Sequence, residues 1–196
     1  MTKRLFPIIT LILLTQFAFS QKNLVPGYII RGSQDTVRGY IQDRGWDQNP
    51  KEILFKKSLA EDAVKYNASQ IKEFKINGGP HYFAFIVDID KSAYKVSQME
   101  KYLPSKSNVR DTIFMEMLDR GKLDLLRLRD ESDKYHFYYN SGNGTPKELI
   151  LKIVFTQNNG MTSMLITENY KAQLKDLMVE CQSVQQEINE LKYVET

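Results

Sequence analysis

Residues 27–41 read Gly-Tyr-Ile-Ile-Arg-Gly-Ser-Gln-Asp-Thr-Val-Arg-Gly-Tyr-Ile and predict the first β-hairpin of a larger sheet. Two runs rich in Tyr, Ile and Val flank a polar segment at 32–35, where Gly supplies backbone freedom and Asp can hydrogen-bond within its own turn. Gly39 lies inside the second run, where a glycine normally weakens the strand. We therefore expect a bulge there, or another backbone close to Gly39.

Further strands follow this hairpin along the chain. The clearest is 81–90, His-Tyr-Phe-Ala-Phe-Ile-Val-Asp-Ile-Asp, whose odd-numbered residues form an apolar face that we expect at the centre of the core. Residues 91–108 have no such periodicity and are expected to form one long loop. Residues 110–140 alternate between apolar runs and polar turns, which predicts a three-strand meander.

The segment after residue 144 carries two competing signals. Thr145-Pro-Lys-Glu148 resembles a capping box with Pro at the first helical position, which favours a helix. The following residues 149–155 are β-branched, and Asn159-Gly160 is typical of a two-residue hairpin turn that leads into 161–167. We expect the hairpin.

The C-terminal part changes period and predicts two short helices from about residue 168. Its apolar residues recur at helical spacing and form one stripe: Tyr170, Leu174, Leu177, Met178 and Cys181. We expect the stripe to cover one face of the sheet, with Cys181 in the core. The alternative is an exposed Cys181 that pairs with a partner chain. The predicted fold class is α+β, a mainly antiparallel β-sheet with two short C-terminal helices packed against it.

Residues 1–20 differ in kind from the rest and are typical of a secretory signal peptide. Lys3 and Arg4 form a basic start, residues 5–14 are apolar, and Ala18-Phe19-Ser20 is a small-x-small cleavage site. The apolar run is too short to span a bilayer. We expect cleavage after Ser20, a single globular domain over 21–196 with no transmembrane segment, and a location in the periplasm, at the outer-membrane periphery or outside the cell.

Charge and cysteine content exclude two classes of protein. Of 27 basic residues, the expected cleavage removes Lys3 and Arg4, and the remaining 25 are balanced by 24 acidic residues. A near-neutral chain with interleaved signs has no basic stripe that would follow a phosphate backbone, so no nucleic-acid partner is expected. The single cysteine excludes a disulfide framework within the monomer.

Few residues are candidates for chemistry. The histidines are His81 and His136, both in predicted strands, so no metal site is expected. Asp88 and Asp90 share one strand face and could form an acid–base or Ca²⁺ pair, although a solvated sheet face explains them more simply. Trp46 lies in a polar loop, where its ring could stack on a sugar or fold over the sheet as a cover for the core, which we favour.

Motifs for nucleophiles and nucleotides are missing from the sequence. There is no Gly-x-Ser-x-Gly elbow, no complete phosphate loop and no dinucleotide fingerprint, so no catalytic residue and no cofactor are assigned. The aromatic run at 135–139 contains Tyr135, Phe137, Tyr138 and Tyr139. It could form a platform for a carbohydrate or peptide, but a strand that is aromatic on both faces favours a packed interior.

Several of these segments resemble the N-terminal domain of a family of uncharacterised secreted envelope proteins of the Bacteroidetes group. The resemblance is carried by Gly27-Tyr-Ile-Ile30, Asp35-Thr-Val-Arg-Gly-Tyr-Ile41, Trp46, Asn49-Pro50, Ile53-Leu-Phe55, Tyr66, Ile71, Phe74, Tyr170-Lys-Ala-Gln-Leu174 and Cys181. It covers nearly all of the chain after residue 20. It implies an envelope address and a fold, and it brings no activity and no site residues.

Two threonines match a short acceptor pattern. Thr36 and Thr112 each follow Asp and precede an apolar residue, which resembles the O-glycosylation acceptor of the same bacterial group. The simpler interpretation is a turn Asp before a strand-forming Thr.

Two functions remain open. One is a non-catalytic cell-envelope domain that binds or scaffolds a protein or glycan partner, for which Trp46, Asp88, Asp90 and His136 are the binding candidates. The alternative is an enzyme acting on an envelope polymer, which needs a cleft with convergent carboxylates of shifted pKa.

Overall fold

The computed structural model of the chain describes residues 23–32, 35–95, 108–142 and 144–192, without the side chains of 157, 158 and 162. The expected signal peptide, residues 96–107 of the expected long loop and the centre of the first hairpin turn lie outside these ranges. The strands are β1 Leu24–Arg31, β2 Thr36–Gln42, β3 Glu52–Lys56, β4 Val64–Asn67, β5 Ile71–Ile76, β6 His81–Asp90, β7 Asn108–Asp119, β8 Asp124–Arg129, β9 Tyr135–Asn140, β10 Lys147–Glu148, β11 Lys152–Asn158 and β12 Met161–Thr167. Two helices follow, α1 Asn169–Leu177 and α2 Gln182–Glu190.

Ten strands form one antiparallel sheet in the order β10-β9-β8-β7-β6-β5-β1-β2-β3-β4, and β11 and β12 form a separate hairpin. The first hairpin is confirmed as β1–β2 and the meander as β7–β8–β9. The hairpin at Asn159-Gly160 is also confirmed, and the capping-box helix at Thr145–Glu148 is wrong because Lys147 and Glu148 pair with β9. The α+β class is confirmed.

The sheet has two hydrophobic cores. The first core is formed by Ile29, Ile41, Ile53, Phe55, Ala68, Ile71, Phe74, Ile76, Tyr82 and Phe114. The second core is formed by Val87, Ile89, Met115, Leu126, Leu128 and Tyr138. Phe114 and Met115 are neighbours on β7 yet belong to different cores, and successive strand residues point to opposite faces. The two halves of the sheet therefore bury opposite faces.

Strand β6 passes from one core to the other. Tyr82 lies in the first core, whereas Val87 and Ile89 lie in the second, and the β6–β7 register is unbroken between them. The expectation that one apolar face of β6 lies at the centre of a single core is therefore wrong. Sequence alternation defines the two faces of a strand, but which face is buried depends on how the neighbouring strands curl.

Trp46 covers the first core from the loop between β2 and β3. Its ring meets Phe74 and Tyr82 edge to face, with centroid distances of 5.8 and 6.0 Å. Such edge-to-face pairs stabilise aromatic clusters beyond their burial. The interpretation of Trp46 as a cover for the core agrees with this packing.

Asn49, in the same loop, joins the two halves of the sheet. Its Nδ2 donates to the carbonyl oxygens of Phe114 on β7 and Arg127 on β8, at 2.9 and 3.0 Å, and its Oδ1 accepts from the Arg129 N–H at 2.9 Å. The Asn49 N–H also donates to the Arg129 carbonyl. Asn49 therefore takes the place of a strand partner where β7 and β8 diverge.

Gly39 lies against another backbone, as expected. It sits opposite Gly27 in the β1–β2 ladder, and a Cβ at Gly39 would lie 2.2 Å from the Lys56 carbonyl oxygen. We expect Gly39→Val to lower the free energy of unfolding by about 1 to 3 kcal/mol, because the Lys56 backbone must move. Urea denaturation measures this, with Gly32→Val as the control, since no atom lies within 4 Å of a Cβ there. An unchanged or higher midpoint for Gly39→Val would show that the close approach is unimportant.

The C-terminal helices lie at the sheet edge and not across a face. No residue of α1 is buried, Ile188 is the buried residue of α2, and Cys181 is exposed. The core position expected for Cys181 is therefore wrong, and the other residues of the stripe, Tyr170, Leu174, Leu177 and Met178, are half-buried. Instead, α1 is attached beside β10: the Tyr170 N–H donates to the Ile150 carbonyl, and Gln173 bonds both Ile150 N–H and the Glu148 carbonyl. Helical spacing predicted the helices but not what covers them.

Within the described ranges, no helix is long and apolar enough to cross a bilayer.

Candidate functional site

Asp90 and His136 come together in one polar cluster, and Asp88 does not join it. The Asp88 side chain is 61% exposed, and its ion-pair partner is Arg110 at 3.4 Å. Trp46 lies in the first core. The polar cluster consists of Asp90, Lys91, Ser92, Asp130, Ser132, Lys134, His136 and Glu148.

Asp130 is the centre of the polar cluster, and the turn between β8 and β9 holds it there. Its Oδ1 accepts from the N–H groups of Ser132 and Lys134 at 2.8 and 3.1 Å, and from the Ser132 hydroxyl at 2.6 Å. An Asp that bonds the backbone two residues on is typical of such turns. The Oδ2 atom faces Lys91 Nζ at 3.1 Å and His136 Nε2 at 3.4 Å.

His136 follows the turn on β9 and is fully buried, held between two carboxylates. Its Nδ1 lies 2.7 Å from Glu148 Oε1 on β10, and its Nε2 faces Asp130. Burial alone would lower the pKa of His136, but the hydrogen bonds to Asp130 and Glu148 raise it above the ordinary 6.5. Both ring nitrogens face carboxylates, and the protonated imidazole can donate to both at once.

Lys134 and Asp90 extend the polar cluster to the end of β6. Lys134 Nζ lies 3.1 Å from Asp90 Oδ2 and 3.0 Å from the Asp90 carbonyl oxygen. Burial would raise the pKa of Asp90, but the Lys134 charge and hydrogen bonds from Ser92 and Lys134 hold it below its usual value. Burial likewise opposes ionisation of Asp130, while hydrogen bonds from His136, Ser132 and Lys91 bring its pKa well below the usual range.

The charges of the polar cluster balance when His136 is protonated. His136 and two lysines, Lys91 and Lys134, then match the three carboxylates of Asp90, Asp130 and Glu148. Buried charges are tolerated when they are paired and hydrogen-bonded, and the loss of one partner is then expensive. The arrangement holds the end of β6, the β8–β9 turn and β10 together.

This polar cluster lacks the features of an acid–base site. A general base must have a free lone pair within reach of the substrate, and both nitrogens of His136 are engaged with protein carboxylates. Asp90 and Asp130 are held ionised, whereas a general acid at neutral pH needs a raised pKa. Among the described residues, no group of three or more His, Cys, Asp or Glu side chains is placed to hold a metal ion.

Sequence reasoning identified Asp90 and His136 but missed their partners. Asp130 falls in one of the polar turns of residues 110–140, Glu148 belongs to the capping-box pattern, and neither Lys91 nor Lys134 belongs to a motif. The missed contacts join residues far apart in the chain: 39 positions separate Lys91 from Asp130, and 44 separate Asp90 from Lys134. The one signal of the polar cluster in the sequence is His136 itself, a polar residue that lies between aromatic neighbours in a strand.

The polar cluster makes stability depend on pH. A histidine whose folded pKa lies above the unfolded value stabilises the protein below about pH 6.5, and this contribution is lost as pH rises through the folded pKa. The lowered pKa values of Asp90 and Asp130 act in the opposite sense, contributing above about pH 4 and fading as pH falls through the folded values.

We therefore expect maximal stability between about pH 4 and pH 6.5 and a decline from pH 6.5 towards pH 9. Urea unfolding of the wild type and of His136→Gln at a series of pH values measures it. The variant should be less stable and should lose most of the alkaline decline. A wild-type free energy of unfolding that is flat or rising over that alkaline range would contradict the charged state of His136.

The second histidine is also engaged with a carboxylate. His81 Nε2 lies 2.7 Å from Glu73 Oε1, which also accepts a hydrogen bond from the Tyr28 hydroxyl at 2.7 Å. Burial and the Glu73 hydrogen bond raise the pKa of Tyr28 to about 12. This group links β1, β5 and β6 and has the character of a structural bridge.

An exposed aromatic strip lies on the opposite face of β9 from His136. The strip is formed by Tyr135, Phe137 and Tyr139, which alternate along the strand with buried His136, Tyr138 and Asn140. Tyr135 and Phe137 are 41% and 39% exposed, and their rings are stacked with centroids 6.5 Å apart. The expectation of a packed aromatic interior therefore holds for Tyr138 and is wrong for Tyr135 and Phe137.

Two arginines of β8 border the aromatic strip. The guanidinium carbons of Arg127 and Arg129 lie 5.8 and 5.2 Å from the centre of the Tyr135 ring. Arg127 is held by Glu116, and Arg129 donates to the Asp47 carbonyl and pairs with Asp133. These contacts fix both guanidinium groups beside the rings, so the surface is preorganised.

The two threonines of the acceptor pattern differ in access. Thr36 is exposed at the first residue of β2, whereas Thr112 is half-buried within β7 opposite Ile86. Glycosylation of either remains a prediction, and Thr36 is the more accessible acceptor.

Comparison with known proteins gave no match, since no protein-family model, no curated protein and no solved structure resembles the chain closely enough to place it.

Proposed function

We propose that the chain is a non-catalytic, exported cell-envelope domain that binds a glycan through the aromatic strip of β9. The single observation that carries the proposal is the exposure of two stacked rings, Tyr135 and Phe137, on one face of β9. Tyrosine and phenylalanine rings offer large apolar faces at a low entropic cost, and the apolar faces of sugar rings stack on them. Export is supported by the signal-peptide pattern of residues 1–20 and by the family resemblance.

The neighbouring arginines favour a glycan over a purely apolar ligand. Arg127 and Arg129 supply fixed N–H donors at the border of the strip, where hydroxyl and carboxylate groups of a sugar chain would lie. Glu116 and Asp133 pair with these arginines, so the surface is close to neutral and suits uncharged or weakly acidic sugars.

The alternative, an enzyme acting on an envelope polymer, needs an ionisable group that can exchange a proton with the substrate. The polar cluster offers none in its observed state, because its charges are paired with each other. Binding without catalysis therefore fits the described residues better.

The test is isothermal titration of the mature chain with two probes, chitohexaose and solubilised peptidoglycan strands. We expect binding to both, and a loss of at least about tenfold in affinity for Tyr135→Ala/Phe137→Ala, which corresponds to about 1.4 kcal/mol. The matched control is Leu59→Ala, an exposed apolar residue away from β9. Equal affinity of the double variant and the wild type, or no binding of either probe, would refute the proposal.

A further inference from the structure

Strand β6 has a free edge over most of its length. Strand β7 pairs with β6 from Tyr82 to Asp90, but β5 pairs with it only from His81 to Phe83. From Ala84 to Asp90 the edge opposite β7 has no strand partner among the described residues. A run of this length spans about 20 Å.

The direction of the free backbone groups follows from two side-chain contacts. Tyr138 donates its hydroxyl to the Asp88 carbonyl oxygen at 3.3 Å, and Lys134 donates to the Asp90 carbonyl oxygen at 3.0 Å. Both carbonyls therefore point away from β7. Because hydrogen-bonding directions alternate along a strand, the groups of Ala84 and Ile86 point to the same side. The Glu73–Phe83 pairing engages the Ala84 N–H with β5, and Tyr138 and Lys134 occupy the carbonyls of Asp88 and Asp90. The run of open groups is therefore the Ala84 C=O, both groups of Ile86 and the Asp88 N–H.

A cleft of about 840 Å³ runs beside this edge. One wall is β6 from Ile86 to Asp90, and the other is the chain from Thr145 to Phe155, which includes β10 and the start of β11. Apolar side chains on both walls reach solvent, with Ile86 54% and Val154 46% exposed. The cleft is thus amphipathic, and backbone groups lie along one side of it.

The outer edge of the sheet is covered, unlike the edge of β6. Beyond β10, the Glu148 carbonyl, the Ile150 N–H and the Ile150 carbonyl are bonded by Gln173 and Tyr170 of α1. Sheet edges left without such a cover add a further strand readily. The sheet also ends at β4, but the cleft of about 840 Å³ lies beside β6, which favours the β6 edge as a place for another strand.

We infer that the free edge of β6 and the cleft beside it bind an extended segment of a partner polypeptide by strand addition. A row of alternating backbone donors and acceptors matches another extended peptide, whereas a sugar or a lipid tail cannot pair with it. Residues opposite Phe85, Val87 and Ile89 lie on the face of the second core and are apolar. Residues opposite Ile86 and Asp88 lie on the outer face, where Asp88 and its ion-pair partner Arg110 favour polar side chains.

The experiment uses the mature chain and the peptide acetyl-Thr-Val-Lys-Val-Lys-Val-Thr-amide, which alternates apolar and basic residues. Its control is the same peptide with every second backbone nitrogen methylated, which keeps the side chains and removes the donors of one edge. We expect the unmodified peptide to bind and the methylated peptide to bind at least tenfold more weakly in fluorescence anisotropy.

Amide hydrogen exchange places the peptide on the protein. In the free chain, the N–H groups of Ile86 and Asp88 should exchange faster than those of Phe85 and Val87, which face β7, and the peptide should slow the exchange of Ile86 and Asp88 at least tenfold. The variant Ile86→Pro removes one edge donor while leaving the β7 ladder intact, so it should bind the peptide at least tenfold more weakly. The methylated peptide keeps the test decisive if this variant does not fold.

Equal binding of the two peptides, or protection of Ile86 and Asp88 in the free chain, would overturn strand addition. Absence of any change in their exchange at about 1 mM peptide, the limit of weak specific binding, would overturn it as well. Glycan titration addresses the opposite surface at β9, so this outcome does not depend on the aromatic strip.

Discussion

Replacing Asp130 with Ala should lower the free energy of unfolding by about 3 to 5 kcal/mol, the cost of removing one partner from a buried ion pair. Asp130 is 5% exposed and bonds His136, Lys91, the Ser132 hydroxyl and two backbone N–H groups. Its removal leaves His136 with one carboxylate instead of two and leaves Lys91 without an ion-pair partner.

Two further variants separate charge from geometry at this position. Asp130→Asn keeps the shape and part of the turn and should cost less than Asp130→Ala, while it lowers the pKa of His136 by removing one negative neighbour. Glu131→Ala changes an exposed carboxylate of the same turn and should alter stability by no more than about 0.5 kcal/mol. Urea denaturation measures the free energy of unfolding of all three variants. If Asp130→Ala lowered it as little as Glu131→Ala, the polar cluster would not stabilise the fold.

Replacing Asn49 with Leu should cost about 3 to 4 kcal/mol, although Asn49 lies in a loop. The leucine would leave the carbonyls of Phe114 and Arg127 and the N–H of Arg129 without their partner, and each unsatisfied buried group costs about 1 to 3 kcal/mol. Because water can reach part of this region, we expect the total cost for the three groups to lie near the lower end of the range that these values give.

The control for Asn49 is its neighbour Gln48. Gln48 also bonds across the loop, to the Asp133 carboxylate, but both side chains of this pair lie near the surface. Gln48→Ala should change the unfolding free energy by less than about 1 kcal/mol. If Asn49→Leu lowered stability no more than Gln48→Ala in thermal and urea unfolding, the inference that Asn49 acts as a strand partner between β7 and β8 would be incorrect.

The sequence predicts the elements of this fold better than their packing. Alternation and turn chemistry act over a few residues, which is why the β1–β2 hairpin, the β7–β9 meander and the Asn159-Gly160 turn could be identified. The switch of buried face within β6 depends on how strands on either side curl, and no local pattern encodes it. The exposed Cys181 shows the same limit, because helical spacing gives a stripe without specifying a neighbour.

The candidate site was predictable only in part for a related reason. His136 and Asp90 were visible as polar residues in apolar strands, but Glu148 and Lys91 come from distant segments that only the folded sheet brings beside them. Tyr135 and Phe137 were identified as an aromatic run. Their exposure follows from the burial of the other face of β9 against Leu126 and Leu128, which a single sequence does not show.

The central claim, that binding takes place at the aromatic strip and not at the polar cluster, is tested most directly by mapping amide chemical shifts. Solubilised peptidoglycan strands are titrated into the isotope-labelled mature chain, and the shifts are followed residue by residue. We expect the largest changes at Tyr135, Phe137 and the neighbouring Arg127 and Arg129, with little change at Asp90, His136 or Glu148. Changes centred on Asp90 and Glu148, or no change anywhere, would contradict the account.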